Sequence, residues 1–337
     1  MRFKPLFFSF LSLSVFCSFP TQAQEDNRDS TKYPLFKFDG TLKNKFEYAT
    51  ELGRHRFSVR NSRLGVSGKI TPLADYRVQL ELSSEGKFQV LDLSGTLAPC
   101  EGLSLTLGQT SIPIFNSYVT NPGTMLFANR TFLAKYYAGT RDIGLLAKYS
   151  YNELPFPICA ELGIFNGNVI NAPVWTHKFS FSARLGFGAM KGFRSTLKVY
   201  GYPKSDTEDY LLYGADARYE GDNWKVETEI MRRDDNINRA DLTSGYLQGA
   251  YCFPLKCKLF KNIVPAVRWD AINQIKDKEL DVSRITTGLG FGLSEKKFSS
   301  LLRVDYEWYF VNNELSFLQD TQEMNANKLT VELVYVF

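Results

Sequence analysis

The 337-residue chain has no apolar run long enough to cross a bilayer as a helix. Its longest such stretch, "LFFSFLSLSVFCSF" near the N-terminus, has about 14 residues where a spanning helix needs roughly 20. Histidine is nearly missing, with only His55 and His177. No glycine-rich phosphate loop precedes a helix, and neither GxSxG nor HExxH occurs, so no catalytic constellation and no cofactor are expected. Strong charge is also lacking: the formal net charge is +4, too balanced for a nucleic-acid-binding surface. Cysteine is scarce. Cys17 lies in the N-terminal stretch, leaving Cys100, Cys159, Cys252 and Cys257, too few to staple a chain of this size. Cys252 and Cys257 bracket "FPLK"; as a bridge they would close a turn, and as free thiols they would simply flank it. No metal site is expected.

What is present begins with a leader. Arg2 and Lys4 precede the apolar run, and Pro20 and "TQA" follow it, the pattern of a secretory signal peptide cleaved after Ala23. Cys17 admits a lipoprotein signal instead, but bulky Phe16 stands where such signals carry a small residue. Residues 1–23 are therefore expected to be a signal peptide and 24–337 the mature domain.

Aromatic residues make up 15% of the chain, including 27 Phe and 18 Tyr, and much of the chain alternates apolar and polar residues with period two. "YRVQLELS" sets Tyr76, Val78, Leu80 and Leu82 against Arg77, Gln79, Glu81 and Ser83. About sixteen such segments follow one another from residue 36 to the last residue, Phe337. Their connections sort by length. "TPLAD", "APCEG", "GAMKG" and "EGDN" alternate with longer, more polar segments such as "NGNVINAPVWTH" and "NNELSFLQDTQEMNA". Short turns on one side and long loops on the other belong to an outer-membrane barrel, where only a closed sheet satisfies every backbone group in hydrocarbon. The expected fold is all-β: a transmembrane antiparallel barrel of about sixteen strands in the outer membrane of a Gram-negative bacterium, wide enough for an aqueous channel. Its direct partner is outer-membrane lipid.

One connection is out of scale. Residues 110–140 form a loop of about 31 residues, aromatic and nearly uncharged except for Arg130 and Lys135, and a loop this long is usually functional. It is expected to fold into the barrel mouth and narrow it. With strict alternation, the inner face collects Arg60, Arg63, Lys148, Arg184, Lys198, Arg218, Arg268 and Arg303. Acids such as Glu81, Asp92, Glu161 and Glu332 oppose them. Basic rings are how pores favour anions, and Arg130, Lys135 and Arg141 are the candidates at the constriction.

"FSVRNSRLGVSGKIT" (57–71), "LSLTLGQTSIPI" (103–114), "GTRDIGLLAKYSY" (139–151), "LGIFNGN" (162–168) and "VRWDAINQ" (267–274) resemble the phosphate-selective porin O and P family. The resemblance implies a sixteen-stranded porin, usually a homotrimer, with an inward third loop and a basic lumen. It also implies a C-terminal aromatic, here Phe337, read by the barrel-assembly machinery. The chain departs from the family at Thr110 and Ser111, where members often carry Phe-Lys. The expected function is a channel for small solutes with mild anion preference, phosphate or polyphosphate included. A neutral oligosaccharide channel, with Tyr136 and Tyr137 along the path, and a plugged barrel acting as an adhesin are the alternatives. A TonB-type transporter is disfavoured, since nothing before Phe36 could form a plug.

Overall fold

The computed structural model describes residues 33–337 except 85–86, 117–119, 168–169, 190, 204, 206, 237–240, 275–279 and 320–323; the expected signal peptide lies outside the described residues. Eighteen strand segments form one antiparallel sheet: β1 (Lys37–Ala49), β2 (Arg54–Val59), β3 (Arg63–Thr71), β4 (Ala74–Ser84), β5 (Lys87–Cys100), β6 (Leu103–Ser111), β7 (Arg141–Tyr151), β8 (Ile158–Phe165) and β9 (Ser180–Gly188). They continue with β10 (Gly192–Pro203), β11 (Asp209–Glu220), β12 (Trp224–Asp235), β13 (Leu242–Tyr251), β14 (Phe253–Pro254), β15 (Asn262–Asn273), β16 (Val282–Gly292), β17 (Leu301–Val311) and β18 (Lys328–Val336). β2 and β3 both pair with β1, and β13 and β14 both pair with β15, so each couple is one interrupted barrel strand and the wall has sixteen.

The sheet closes where β1 meets β18, from Thr41 opposite Val336 to Ala49 opposite Lys328. Phe337 extends that seam. Its N–H donates to the Gly40 carbonyl at 3.1 Å and its carbonyl accepts from the Gly40 N–H at 2.9 Å. A Cβ on Gly40 would stand 2.2 Å from the Phe337 ring, so the glycine makes room for the terminal aromatic.

Burial is inverted relative to a soluble protein. Phe57 is 84% exposed and Phe88 82%, whereas Arg303 is 1% exposed. A wall with apolar side chains outside and charges inside suits lipid outside and water or polar packing inside. Aromatic groups gather near strand ends, as in the Trp224–Tyr251–Phe253 run (centroids 4.7 and 4.4 Å apart) and the Tyr306–Trp308 pair (4.5 Å).

Two irregularities depart from simple alternation. Between β2 and β3 the chain turns at Asn61, whose φ is 56°, a left-handed conformation that Asn tolerates. There the Ser62 hydroxyl accepts from the Lys43 N–H at 3.0 Å and the Ser62 carbonyl accepts from the Leu82 N–H at 2.8 Å. The outward phase shifts across this break, from Phe57 and Val59 to Leu64 and Ile70, which lets both Arg60 and Arg63 turn inward. The second is a bulge in β5. Val90 opposes Leu80 and Asp92 opposes Gln79, leaving Leu91 as the extra residue.

The third long loop, residues 112–140 (L3), lies inside the barrel. It contains a 3₁₀ turn (Pro122–Thr124), capped by the Asn121 side chain, and one helical turn, α1 (Phe132–Tyr136), capped by Thr131. Ile112, Ile114, Phe115, Phe132, Leu133 and Tyr137 pack against inward apolar residues at the strand ends of one wall, including Phe165, Tyr200, Leu212 and Met231. Burying each such side chain contributes about 1.5–3 kcal/mol, enough in sum to hold the loop in. The eighth long loop, residues 312–327 (L8), adds Leu315 and Leu318 to the same cluster.

Candidate functional site: the pore constriction

Alternation on the inner face supplies charge, and L3 decides what most of that charge does. A loop buried in a barrel carries backbone groups that water no longer reaches, and each must find a partner or cost about 1–3 kcal/mol. The inner wall provides them. Carboxylates accept from L3 amides: Glu229 from Asn116 N (3.2 Å), Asp305 from Ala128 N (2.7 Å) and Asp270 from Phe132 N (3.0 Å). Cations donate to L3 carbonyls: Lys225 to Thr124 (3.0 Å), Arg303 to Met125 (2.5 Å), Arg268 to Asn129 (2.9 Å), Arg284 to Arg130 (2.8 Å) and Arg233 to Tyr137 (3.0 Å).

These anchors are cross-braced. Arg284 donates to Asp270 (2.7 Å) and Glu307 (2.8 Å); Arg303 pairs with Glu332, which also meets Lys43 at 3.3 Å. Lys198 lies between Asp216 (2.6 Å) and Glu229. Desolvation makes buried pairs poor sources of net stability. Their value here is that removing one leaves both a buried charge and an L3 backbone group unmatched.

The opposite side of L3 faces open space. A cavity of ≈ 390 Å³ lies between L3 and the wall from β1 to β7. Arg130 and Lys135 line it from L3, and Lys45, Arg60, Arg63 and Arg141 from the wall; Glu81 is its one carboxylate. Beneath it is a second cavity of ≈ 250 Å³ that adds Asp92, Gln79 and Ser111. The two share Arg63, Arg130, Thr140 and Arg141, which therefore form the neck between them. Arg63 Nε donates to Glu81 at 2.9 Å; Arg141 Nε donates to Asp92 at 2.8 Å and its Nη2 to Gln79 at 3.2 Å. Across both cavities, six cations stand against two carboxylates. Lys135 is held with its ammonium 4.8 Å above the Tyr136 ring.

Of the expected site residues, Arg60, Arg63, Arg130, Lys135 and Arg141 come together at this constriction. Lys148 and Arg184 line a separate cavity of ≈ 480 Å³ toward the short turns, with Glu161 2.9 Å from Arg184. Lys198, Arg218, Arg268 and Arg303 correct the alternation argument: they point inward but are buried beneath L3. Arg268 and Arg303 bond its backbone, Arg218 donates to its Thr120 hydroxyl at 3.2 Å, and Lys198 braces Glu229, which accepts from Asn116 N. Cys252 and Cys257 are both free thiols, the first buried and the second exposed. Tyr137 does not reach the passage: it is buried, its hydroxyl donating to the Met231 carbonyl at 2.9 Å. Tyr136 stacks against Phe317 of L8 at 5.6 Å. Thr140 and Lys45 were not among the expected site residues; a threonine at a loop end has no signature, and Lys45 was one inward lysine among many. Ser111, where the resembled family often has lysine, does line the lower cavity.

No model of a protein family matches the sequence, and neither does the sequence of any curated protein. Solved structures do resemble the fold. OmpF of Salmonella typhi, in complex with daunomycin, superposes with TM-score 0.63 at 12% identity, over 90% of this chain and 97% of that one. The outer membrane channel DcaP of Acinetobacter baumannii gives 0.57 at 14%, over 90% and 97%. The trimer form of OmpT, an outer membrane protein of Vibrio cholerae, gives 0.59 at 11%, over 90% and 99%. The chain has the closed sixteen-strand fold of these porins and channels, and its apolar outer face makes it a β-barrel of the Gram-negative outer membrane.

Proposed function

We propose that the protein is a passive outer-membrane channel with a preference for small anions, phosphate and organic acids among them, working as a homotrimer and needing no cofactor. The observation that carries this reading is the neck: Arg63, Arg130 and Arg141 converge with Thr140 where the two cavities join. Arginine cannot be discharged at any working pH, and its remaining N–H groups offer forked donors to oxyanions. The trimer rests on the likeness to the trimer form of the Vibrio cholerae protein. Capture by the barrel-assembly machinery rests on Phe337 at the seam. The oligosaccharide alternative loses Tyr137, which lies behind L3.

Reconstitution into planar bilayers tests the reading. Stepwise conductance with a reversal potential on the chloride side is expected under a KCl gradient. A reversal potential on the potassium side, or no conductance from folded protein, overturns it.

A further inference from the structure

We propose that the cavity above the neck is a binding station for organic anions with an apolar body, such as aliphatic or aromatic carboxylates. The inference rests on the anion-channel reading and adds a substrate class to it. Its observation is that apolar side chains line the same cavity as the cations: Leu91 from β5, Ile170 from the fourth long loop, and Ala134 and Ala138 from L3. The neck below has only arginines and a threonine.

Leu91 is there because the β5 bulge puts it there. Its neighbour Leu93 is on the lipid face and 57% exposed, while Leu91 is the unmatched residue of the pairing with β4. Bulges re-aim side chains, commonly beside functional sites. This one is braced from both sides. Gln109 Nε2 donates to the carbonyls of Val90 (2.8 Å) and Leu91 (3.1 Å). Asn171 Nδ2 donates to Val90 O at 2.9 Å, and Asn171 N donates to Gln109 Oε1 at 2.8 Å. The same braces therefore fix the bulge and tie down the loop carrying Ile170, next in the chain to Asn171. An inorganic anion makes no use of an aliphatic pair facing a charged passage. A carboxylate does: its head takes guanidinium donors while its chain covers Leu91 and Ile170.

The test is current block by a homologous series of acetate, butyrate and hexanoate, with inorganic phosphate for comparison, on the wild-type channel. Full burial of a methylene is worth about a fourfold change in affinity, so the half-blocking concentration is expected to fall by about two- to fourfold per added methylene. Leu91→Ser and Ile170→Ser, the second being a loop substitution that spares the wall, are each expected to flatten the series. An anion-selective channel with the same half-blocking concentration along the series, or unchanged slopes in both variants, refutes the station while leaving the anion reading intact. A potassium-side reversal potential in the same membranes refutes both.

Discussion

Replacing Arg130 by alanine isolates the charge that L3 contributes to the neck. Arg130 is the one L3 cation shared by both cavities, and its carbonyl, not its side chain, is held by Arg284. The substitution should therefore leave the loop in place. A unit charge about 4 Å from a passing ion is worth about 1 kcal/mol in water, and at 0.1 M salt, where the Debye length is about 10 Å, roughly two-thirds of that survives. The charge favours an anion and opposes a cation, so the two barriers separate by about 1.3 kcal/mol, close to tenfold in permeability ratio. Arg130→Ala should thus lower the chloride-to-potassium permeability ratio about tenfold at 0.1 M. At 1 M, with a Debye length near 3 Å, the effect should shrink to about two- to threefold. The assay is the bilayer reversal potential under salt gradients at both concentrations. An unchanged ratio at low salt would refute the placement of Arg130 in the conducting path; an effect that does not shrink with salt would refute its electrostatic cause.

Three further outcomes follow from the structure. Arg284→Met removes donors to Asp270, Glu307 and the Arg130 carbonyl; breaking a buried pair costs about 3–5 kcal/mol, so thermal stability should fall and single-channel current should become noisier, and a quiet, equally stable channel would count against L3 anchoring. Gly40→Val, which collides with the Phe337 ring, should lower the temperature at which the folded band is lost on unheated gels, and Phe337→Ala on top of it should restore part of the loss. Cys257, an exposed thiol whose pKa is lowered by the backbone N–H groups of Phe260 and Leu259, should react with maleimide below the pH needed by an ordinary thiol. Buried Cys252 should stay unlabelled until the barrel unfolds.

Much of the architecture is readable from period-two alternation, because lipid on one side and charge on the other punish any slip of register. The segments read near 36–48 and 327–337 correspond to β1 and β18, and the long loop at 110–140 to L3 at 112–140. The β2–β3 break is a subtler case. Its trace is the change of parity between Phe57 or Val59 and Leu64 or Ile70, and "RNSR" supplies the Asn the turn requires. Several stretches that carry the family resemblance fall on working parts: Arg60, Asn61 and Arg63 in the first, Arg141 in another, Arg268 and Asp270 in a third. What alternation cannot show is which inward charges meet open space. Arg303 and Arg63 occupy equivalent positions in the pattern, and only the path of L3 buries one and leaves the other at the neck. The apolar lining at Tyr200, Tyr202 and Leu212 is likewise a response to L3 and not to lipid.

The central claim is that solutes pass between L3 and the β1–β7 wall through the ring that contains Arg130. Its most direct test is Arg130→Cys in a background with Cys100, Cys159 and Cys257 replaced by serine, challenged during recording with charged thiol reagents. A sulfonate-bearing reagent should cut the current in discrete steps and move the reversal potential toward potassium, and an ammonium-bearing reagent should move it back toward chloride. Currents and reversal potentials that ignore both reagents, with labelling verified by mass, would contradict the account.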